Sequence, residues 1–160
     1  MNFKAKTPIF YGIPKIHKTG NLLRSIVSQI NGPTSKINEL IDHYLTMAEK
    51  SIPDLLQDTT VFLHIIQRCN NEFAITEDTY LISLDVTSLY TNIPIEEGTQ
   101  WVSEHYEATK HLWDKPIIPL ISKSLLQECI RFILTNTTFK FDQDLYHQKF
   151  GTTIWGPDSL

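Results

Sequence analysis

Thr79-Tyr80-Leu81-Ile82-Ser83-Leu84-Asp85-Val86 is a short run of β-favouring residues that ends beside a carboxylate, with Asn92 and Pro94 close behind. Its composition predicts a buried strand running into a turn, with Asp85 delivered at the strand exit where the backbone leaves it little freedom. A carboxylate fixed there suits a hard cation, although an Asp at a strand end more often forms a turn or caps a helix. Downstream, Pro94, Glu96 and Glu97 make a helix entry whose carboxylates complement the dipole, and Trp101, Val102, His105 and Tyr106 continue one helical face. A longer apolar helix is expected over 118–135, with Ser124 and Gln127 as a capping box. The stretch 138–148 alternates about a polar tip at 142–144, as a β-hairpin does. Upstream, Phe62, Ile65, Ile66 and Cys69 predict a helix over 59–70, capped by Thr59 or Asp58. Ile37, Leu40, Ile41, Tyr44, Leu45 and Ala48 predict another from Pro33 to about Lys50. Residues 22–29 read as a strand closed by Asn31-Gly32, and Pro8, Gly12, Pro14 and Gly20 mark 8–20 as a basic loop.

Strands followed by helices and a terminal hairpin give an α+β chain, and 160 residues make one domain. With 41% hydrophobic and 20% charged residues, the composition excludes a disordered or fibrous chain. No apolar run approaches the roughly 18 residues that cross a bilayer, and Met1-Asn-Phe-Lys lacks the layout of a secretion signal. The chain reads as intracellular, in cytoplasm or nucleus, with no membrane partner. Cys69 and Cys129 fit neither a disulfide framework nor a zinc knuckle and read as reduced core residues. The six histidines offer no metal-ligand spacing, and neither dinucleotide-binding nor P-loop glycine patterns occur. Charge is unevenly spread: residues 1–38 hold Lys4, Lys6, Lys15, Lys18, Arg24 and Lys36 and no carboxylate, whereas all 18 acidic residues lie beyond. A cationic end on an anionic body suits a polyanion-binding arm; a solvated loop explains the same six cations equally well.

The block Leu84-Asp85-Val86-Thr87-Ser88-Leu89-Tyr90-Thr91-Asn92-Ile93-Pro94 resembles the first catalytic motif of reverse transcriptases, specifically those of Penelope-like retroelements. Tyr11-Gly-Ile-Pro-Lys15-Ile-His-Lys18 and Leu23-Arg24-Ser-Ile-Val-Ser28 resemble that family's fingers motifs in the same order. Thr137-Thr-Phe-Lys-Phe and Tyr146-His-Gln148-Lys-Phe-Gly151-Thr152 resemble its hairpin and the start of its next palm motif. The resemblance implies fingers (1–38) leading into helices and a partial palm (39–160) of a right-hand polymerase, with a small antiparallel sheet packed with helices. It also implies two-metal transfer of a deoxynucleotide onto a primer 3′-hydroxyl, with Mg²⁺ as cofactor and RNA or DNA template, primer and deoxynucleoside triphosphate as partners. On that resemblance Asp85 and the carbonyl of Val86 are metal ligands, and Lys15 and Arg24 grip the triphosphate. Tyr90 lies beneath the sugar, where it would clash with a 2′-hydroxyl, and Gln148 belongs to the nucleotide site. For Tyr90 a plain core tyrosine remains the alternative, and for Lys18 and Lys36 solvated surface cations.

Three departures matter. Ser25 stands where the family usually has Pro after the fingers arginine. After Gly151-Thr152 the chain reads Thr153-Ile-Trp155-Gly-Pro-Asp-Ser-Leu160 in place of the family's Ala-Met-Gly. No Asp-Asp dipeptide occurs in these 160 residues, so the Tyr-x-Asp-Asp block with two of three metal carboxylates is missing and the chain alone is expected not to polymerise. Without the hairpin that carries that block, the Asp85 strand is expected to have an open edge. Several hundred Å² of uncovered apolar surface would forgo on the order of 5–10 kcal/mol, so the chain is expected to be marginal, aggregation-prone or completed by another polypeptide. Besides a polymerase fragment, a non-catalytic nucleic-acid or nucleotide-binding module and a fold-only interaction protein remain open readings.

Overall fold

The computed structural model describes residues 5–16, 19–20, 22–53, 55–73, 76–114, 116 and 118–152. The chain is α+β, and its six-residue core cluster lies wholly within helices. Helix α1 (Ser35–Glu49) contributes Ile41 and Tyr44, α4 (Ile95–Thr109) contributes Tyr106, and α5 (Lys123–Thr135) contributes Leu126, Ile130 and Ile133. Helix α2 (Thr59–Glu72) starts at Asp58, whose carboxylate accepts the Val61 N–H at 2.9 Å, as its sequence predicts. No residue of α2 is buried, so its apolar stripe is only half covered.

Two tyrosines bind the core to the chain that crosses it. The Tyr106 hydroxyl donates to Ile121 O at 2.8 Å and accepts the Ile121 N–H at 3.1 Å, and the Tyr44 hydroxyl donates to Pro119 O at 2.6 Å. Their rings meet edge to face at 5.8 Å, and Tyr106 meets Trp113 at 5.4 Å. Such pairs add to the area they bury while the hydroxyls are satisfied. The tether also corrects the expected start of the last helix. Residues 118–121 are not helical; α5 begins at Lys123, and Ser122, in extended backbone, caps it by accepting the Leu125 N–H at 3.2 Å. Ser124 is already inside the helix, where its hydroxyl meets that of Ser122 at 3.1 Å.

Helix α4 buries a different face from the one its apolar residues predict. Thr99, Ser103, Tyr106 and Thr109 are buried, while Trp101 is 73% exposed and Val102 is exposed. Small side chains at four-residue steps allow close approach to α1 and α5, and the bulkier Trp101 is left outside. His105, half-buried, shares a hydrogen bond of 3.0 Å with Ala48 O of α1.

The sheet has four strands in the order β2-β1-β3-β4: β1 (Ile9–Pro14), β2 (Leu23–Ser28), β3 (Thr138–Phe141) and β4 (Asp144–His147). Both hairpins are antiparallel, but β1 and β3 join in parallel at Ile9 and Lys140, so the sheet is mixed rather than antiparallel throughout. The expected loop over 8–20 is half strand. Pro8 and Pro14 fall at or beyond the strand ends, where a missing N–H costs no ladder bond, and a Cβ at Gly12 would press on the Leu23 side chain. Phe10, Phe139, Phe141 and Tyr146 pack their rings together on one face of the sheet.

Residues 79–86 form no strand. Residues 80–86 take no regular structure, are exposed and, among the described residues, make no hydrogen bond. An apolar strand is stable only against a neighbouring strand, and neither sheet edge, β2 nor β4, runs beside this one.

Replacing Tyr106 by Phe strands both the N–H and the carbonyl of Ile121 and is expected to cost about 1–3 kcal/mol. That corresponds to a drop in Tm of roughly 2–4 °C per kcal/mol for a chain of this size, read by thermal unfolding. An unchanged Tm would mean the tether contributes nothing.

Candidate functional site

Lys15 and Arg24 come together on the first hairpin. Arg24 pairs with Ile13, and the Lys15 N–H donates to Leu22 O at 2.9 Å, extending the ladder by one step beyond Pro14 and Leu23. Side chains alternate along each strand, so Ile13, Arg24, Lys15 and Leu22 share a face and the two cations are diagonal neighbours. Arg24 is exposed, Lys15 half-buried, and neither lies within 4.0 Å of a carboxylate among the described residues. Ser25 lies inside β2 and pairs with Gly12 at a non-hydrogen-bonded position of this edge strand, so its N–H points away from β1 and the change from proline leaves the Arg24 pairing with Ile13 intact. Lys18 and residues 153–160 lie outside the described residues. Lys36 is spoken for by Glu39 at 2.8 Å.

Tyr90 and the segment from Gln148 to Thr152 form a second grouping. Residues 87–92 make a self-locked turn: Ser88, at φ 53°, presents a carbonyl that accepts from Thr91 N, Thr91 Oγ1 and Asn92 Nδ2 at 3.0–3.1 Å. A non-glycine residue with that φ stores about 1–2 kcal/mol of strain, held here by three hydrogen bonds. Helix α3 (Leu89–Asn92) follows and carries Tyr90, which is 45% exposed and therefore not a core tyrosine. The Thr152 N–H donates to Tyr90 O at 2.6 Å. Gly151, at φ 67°, sits so close to Tyr90 O and the Thr91 backbone that no Cβ fits there. Gln148 is half-buried, and its amide donates to Phe150 O at 2.9 Å. The contact of Gly151 with the Tyr90 turn was not read from the sequence, where Gly151 appeared only as part of the block resembling the next palm motif.

A shallow cleft of about 390 Å³ opens beside this grouping, between residues 91–97 and Lys149, Phe150 and Gly151. Of the two carboxylates that line it, Glu96 is committed elsewhere. Arg131 of α5 grips Glu96 with Nε at 3.0 and 3.1 Å and Nη2 at 2.6 Å, and these hydrogen bonds hold the Glu96 carboxyl below the usual carboxylate range. Both cysteines are free and half-buried, and burial pushes the Cys129 thiol up, away from reactivity.

Asp85 and Val86 join neither grouping. Both are exposed on the unpaired segment, and Asp85 has no hydrogen-bond or ion-pair partner among the described residues. No group of three or more His, Cys, Asp or Glu that could hold a metal ion occurs among the described residues. Mg²⁺ takes about six oxygens in near-octahedral array, and a two-ion centre needs more. One carboxylate and one carbonyl therefore fit part of one ion's shell, not a two-ion site. Neither a family model nor a curated protein nor a solved structure matches the chain.

Gly151→Ala forces a Cβ into the Tyr90–Thr91 backbone at positive φ, so the 148–152 segment should detach from the turn. The expected outcome is more than about 1 kcal/mol of lost stability in denaturant unfolding, together with faster amide exchange at Thr152. A stability equal to that of the parent chain would show that the contact is dispensable.

Proposed function

We propose that these residues are the nucleotide-gripping fingers and the first palm segment of a reverse transcriptase of the Penelope-like kind. The observation that carries the reading is the pairing of Lys15 and Arg24 on one hairpin face with no carboxylate within 4.0 Å of either among the described residues. An ammonium and a planar guanidinium side by side match a run of phosphate oxygens. The pinning of the Tyr90 turn by Gly151 and Thr152 supports the same reading, because it joins two blocks that the resemblance assigns to one nucleotide site. Tyr90 would then face the sugar, with Gln148 beside it.

The chemistry implied is transfer of a nucleotide onto a primer 3′-hydroxyl on an RNA or DNA template, with Mg²⁺ supplied to carboxylates. Asp85 and the Val86 carbonyl are this chain's contribution to that metal site, and they do not complete it. The 160 residues on their own are therefore inactive in polymerisation, and the exposed backbone of residues 80–86 is left for a complementing polypeptide that carries the missing acidic pair to pair with. A second reading, a nucleotide- or nucleic-acid-binding module without catalysis, is favoured by the isolation of Asp85.

Fluorescent deoxynucleoside triphosphate binding separates these readings from a fold-only interaction protein. Lys15→Ala and Arg24→Ala should each weaken binding about 10- to 100-fold, the size of a lost charge-assisted hydrogen bond, while Lys123→Ala should leave it unchanged. Primer extension with Mg²⁺ by the purified chain should give no product. Binding that ignores both hairpin cations would contradict the proposed function, and primer extension would contradict the claim that these residues lack the metal carboxylates they need.

A further inference from the structure

The outer edge of β2 is open at one end. This strand is the last in the sheet, and Leu22, Leu23, Arg24 and Ser25 are exposed, whereas Ile26 and Val27 further along are buried. In an antiparallel ladder the N–H and carbonyl of successive residues face the partner strand and away from it in turn. The Lys15 N–H on Leu22 O fixes that phase, so Arg24 and Ile26 face β1 as Leu22 does. The backbone groups of Leu23 and Ser25 therefore point outward, where a fifth strand would take them.

Residues 80–86 have the composition of a strand and no ladder. Tyr80, Leu81, Ile82, Leu84 and Val86 are 62–91% exposed, and the segment contains neither glycine nor proline. Laid antiparallel along β2 with Asp85 opposite Arg24, it sets Val86 against Leu23 and Leu84 against Ser25, the two positions whose backbone groups face out. Arg24 and Asp85 then form a non-hydrogen-bonded pair, where opposed side chains come closest, with about 4.5 Å between Cα atoms. Alternation agrees as well: Leu84 and Val86 join the face that carries Leu23, and Asp85 joins the face that carries Arg24. Within one copy neither charge has a partner of opposite sign within 4.0 Å among the described residues.

The segment does not reach its own β2 in this register. Its end is tied to the far corner of the sheet, where the Thr152 N–H holds Tyr90 O and Gln148 extends β4 by donating to Thr137 O. Eight residues of rise and four strand spacings, about 32 Å, separate Gln148 from the place beside Leu23. The path between them is residues 148–152, one hydrogen bond and residues 90–86. With 87–90 wound into a turn and the start of α3, it covers less than about 30 Å.

From this fit we infer that residues 83–86 of one copy add as a fifth strand to the β2 edge of a second copy, with Asp85 of one against Arg24 of the other. The pairing stands apart from the proposed function: a second copy carries no acidic pair, so it occupies the backbone that a complementing polypeptide needs without completing the metal site. Four backbone hydrogen bonds and one ion pair make it weak, on the order of 0.1 mM, and dilution returns the open monomer.

Sedimentation equilibrium of the full chain from about 10 μM to 1 mM tests the pairing, and the parent chain should associate across that range. Arg24→Asp and Asp85→Arg should each weaken association about 3- to 30-fold, because an attractive cross-strand pair becomes a repulsive one. A chain carrying both changes should recover, and so should an equal mixture of the two single variants. Val86→Pro removes a ladder N–H at an exposed position and should abolish association without moving Tm. A parent chain that stays monomeric at 1 mM overturns the inference, as does association that neither charge reversal weakens or that the double reversal fails to restore. If oxidation of a chain carrying Arg24→Cys and Asp85→Cys closes that disulfide within a single copy, the segment belongs to its own β2 and the second copy is excluded. Triphosphate binding is read on the dilute monomer, so the proposed function stands or falls separately.

Discussion

The Tyr106 hydroxyl both gives and receives a hydrogen bond at Ile121, 15 residues further along the chain. That pair of bonds holds the segment before α5 across α1 and α4, and so decides where α5 starts and which of its faces turns inward. With the Tyr44 hydroxyl on Pro119 O, it lets two large aromatic rings be fully enclosed without stranding a polar atom. Helices α1, α4 and α5 thereby close a core of their own. The sheet is attached to that core through its connections to α1 and α5, and the basic hairpin is carried on the outside of it.

Electrostatics follows the same division. Helical cations are answered by nearby carboxylates, the firmest being the Arg131 fork on Glu96, which also ties α5 to the entry of α4. Among the described residues, no carboxylate lies within 4.0 Å of the sheet cations Arg24 and Lys140. The Tyr90 turn sits between these two regimes: it leads into α4 on one side and is clasped by Gly151 and Thr152 on the other. What the proposed nucleotide site lacks is its acidic floor, because the segment bearing Asp85 has no strand to lie against.

Local signals in the sequence were legible where chemistry acts over a few residues. The Asp58 cap, the helical spacing from Ile37 to Ala48 and the alternation about 142–144 each became the expected element. Signals that depend on a distant partner were not. Residues 79–86 have the composition of a strand, but a strand exists only when a second one pairs with it. The face of α4 was misread because close packing against α1 and α5 favoured Thr99 and Ser103 over Trp101. The start of α5 was misread because Ser122 and Ser124 are equally good caps until the Tyr106 tether fixes the backbone between them. In the candidate site, Lys15 and Arg24 were legible as cations, and their common face emerged only from the register of a strand hidden among two prolines and a glycine.

Native-state hydrogen exchange, read by mass spectrometry on peptides covering 79–87 and 123–135, tests the central claim most directly. An unpaired Asp85 segment beside a closed helical core requires 79–87 to exchange at nearly the rate of an unstructured peptide while 123–135 is protected by several orders of magnitude. Protection of 79–87 comparable to that of 123–135 would mean that the segment is paired within this chain, and the division between a finished core and an unpartnered acidic strand would be wrong.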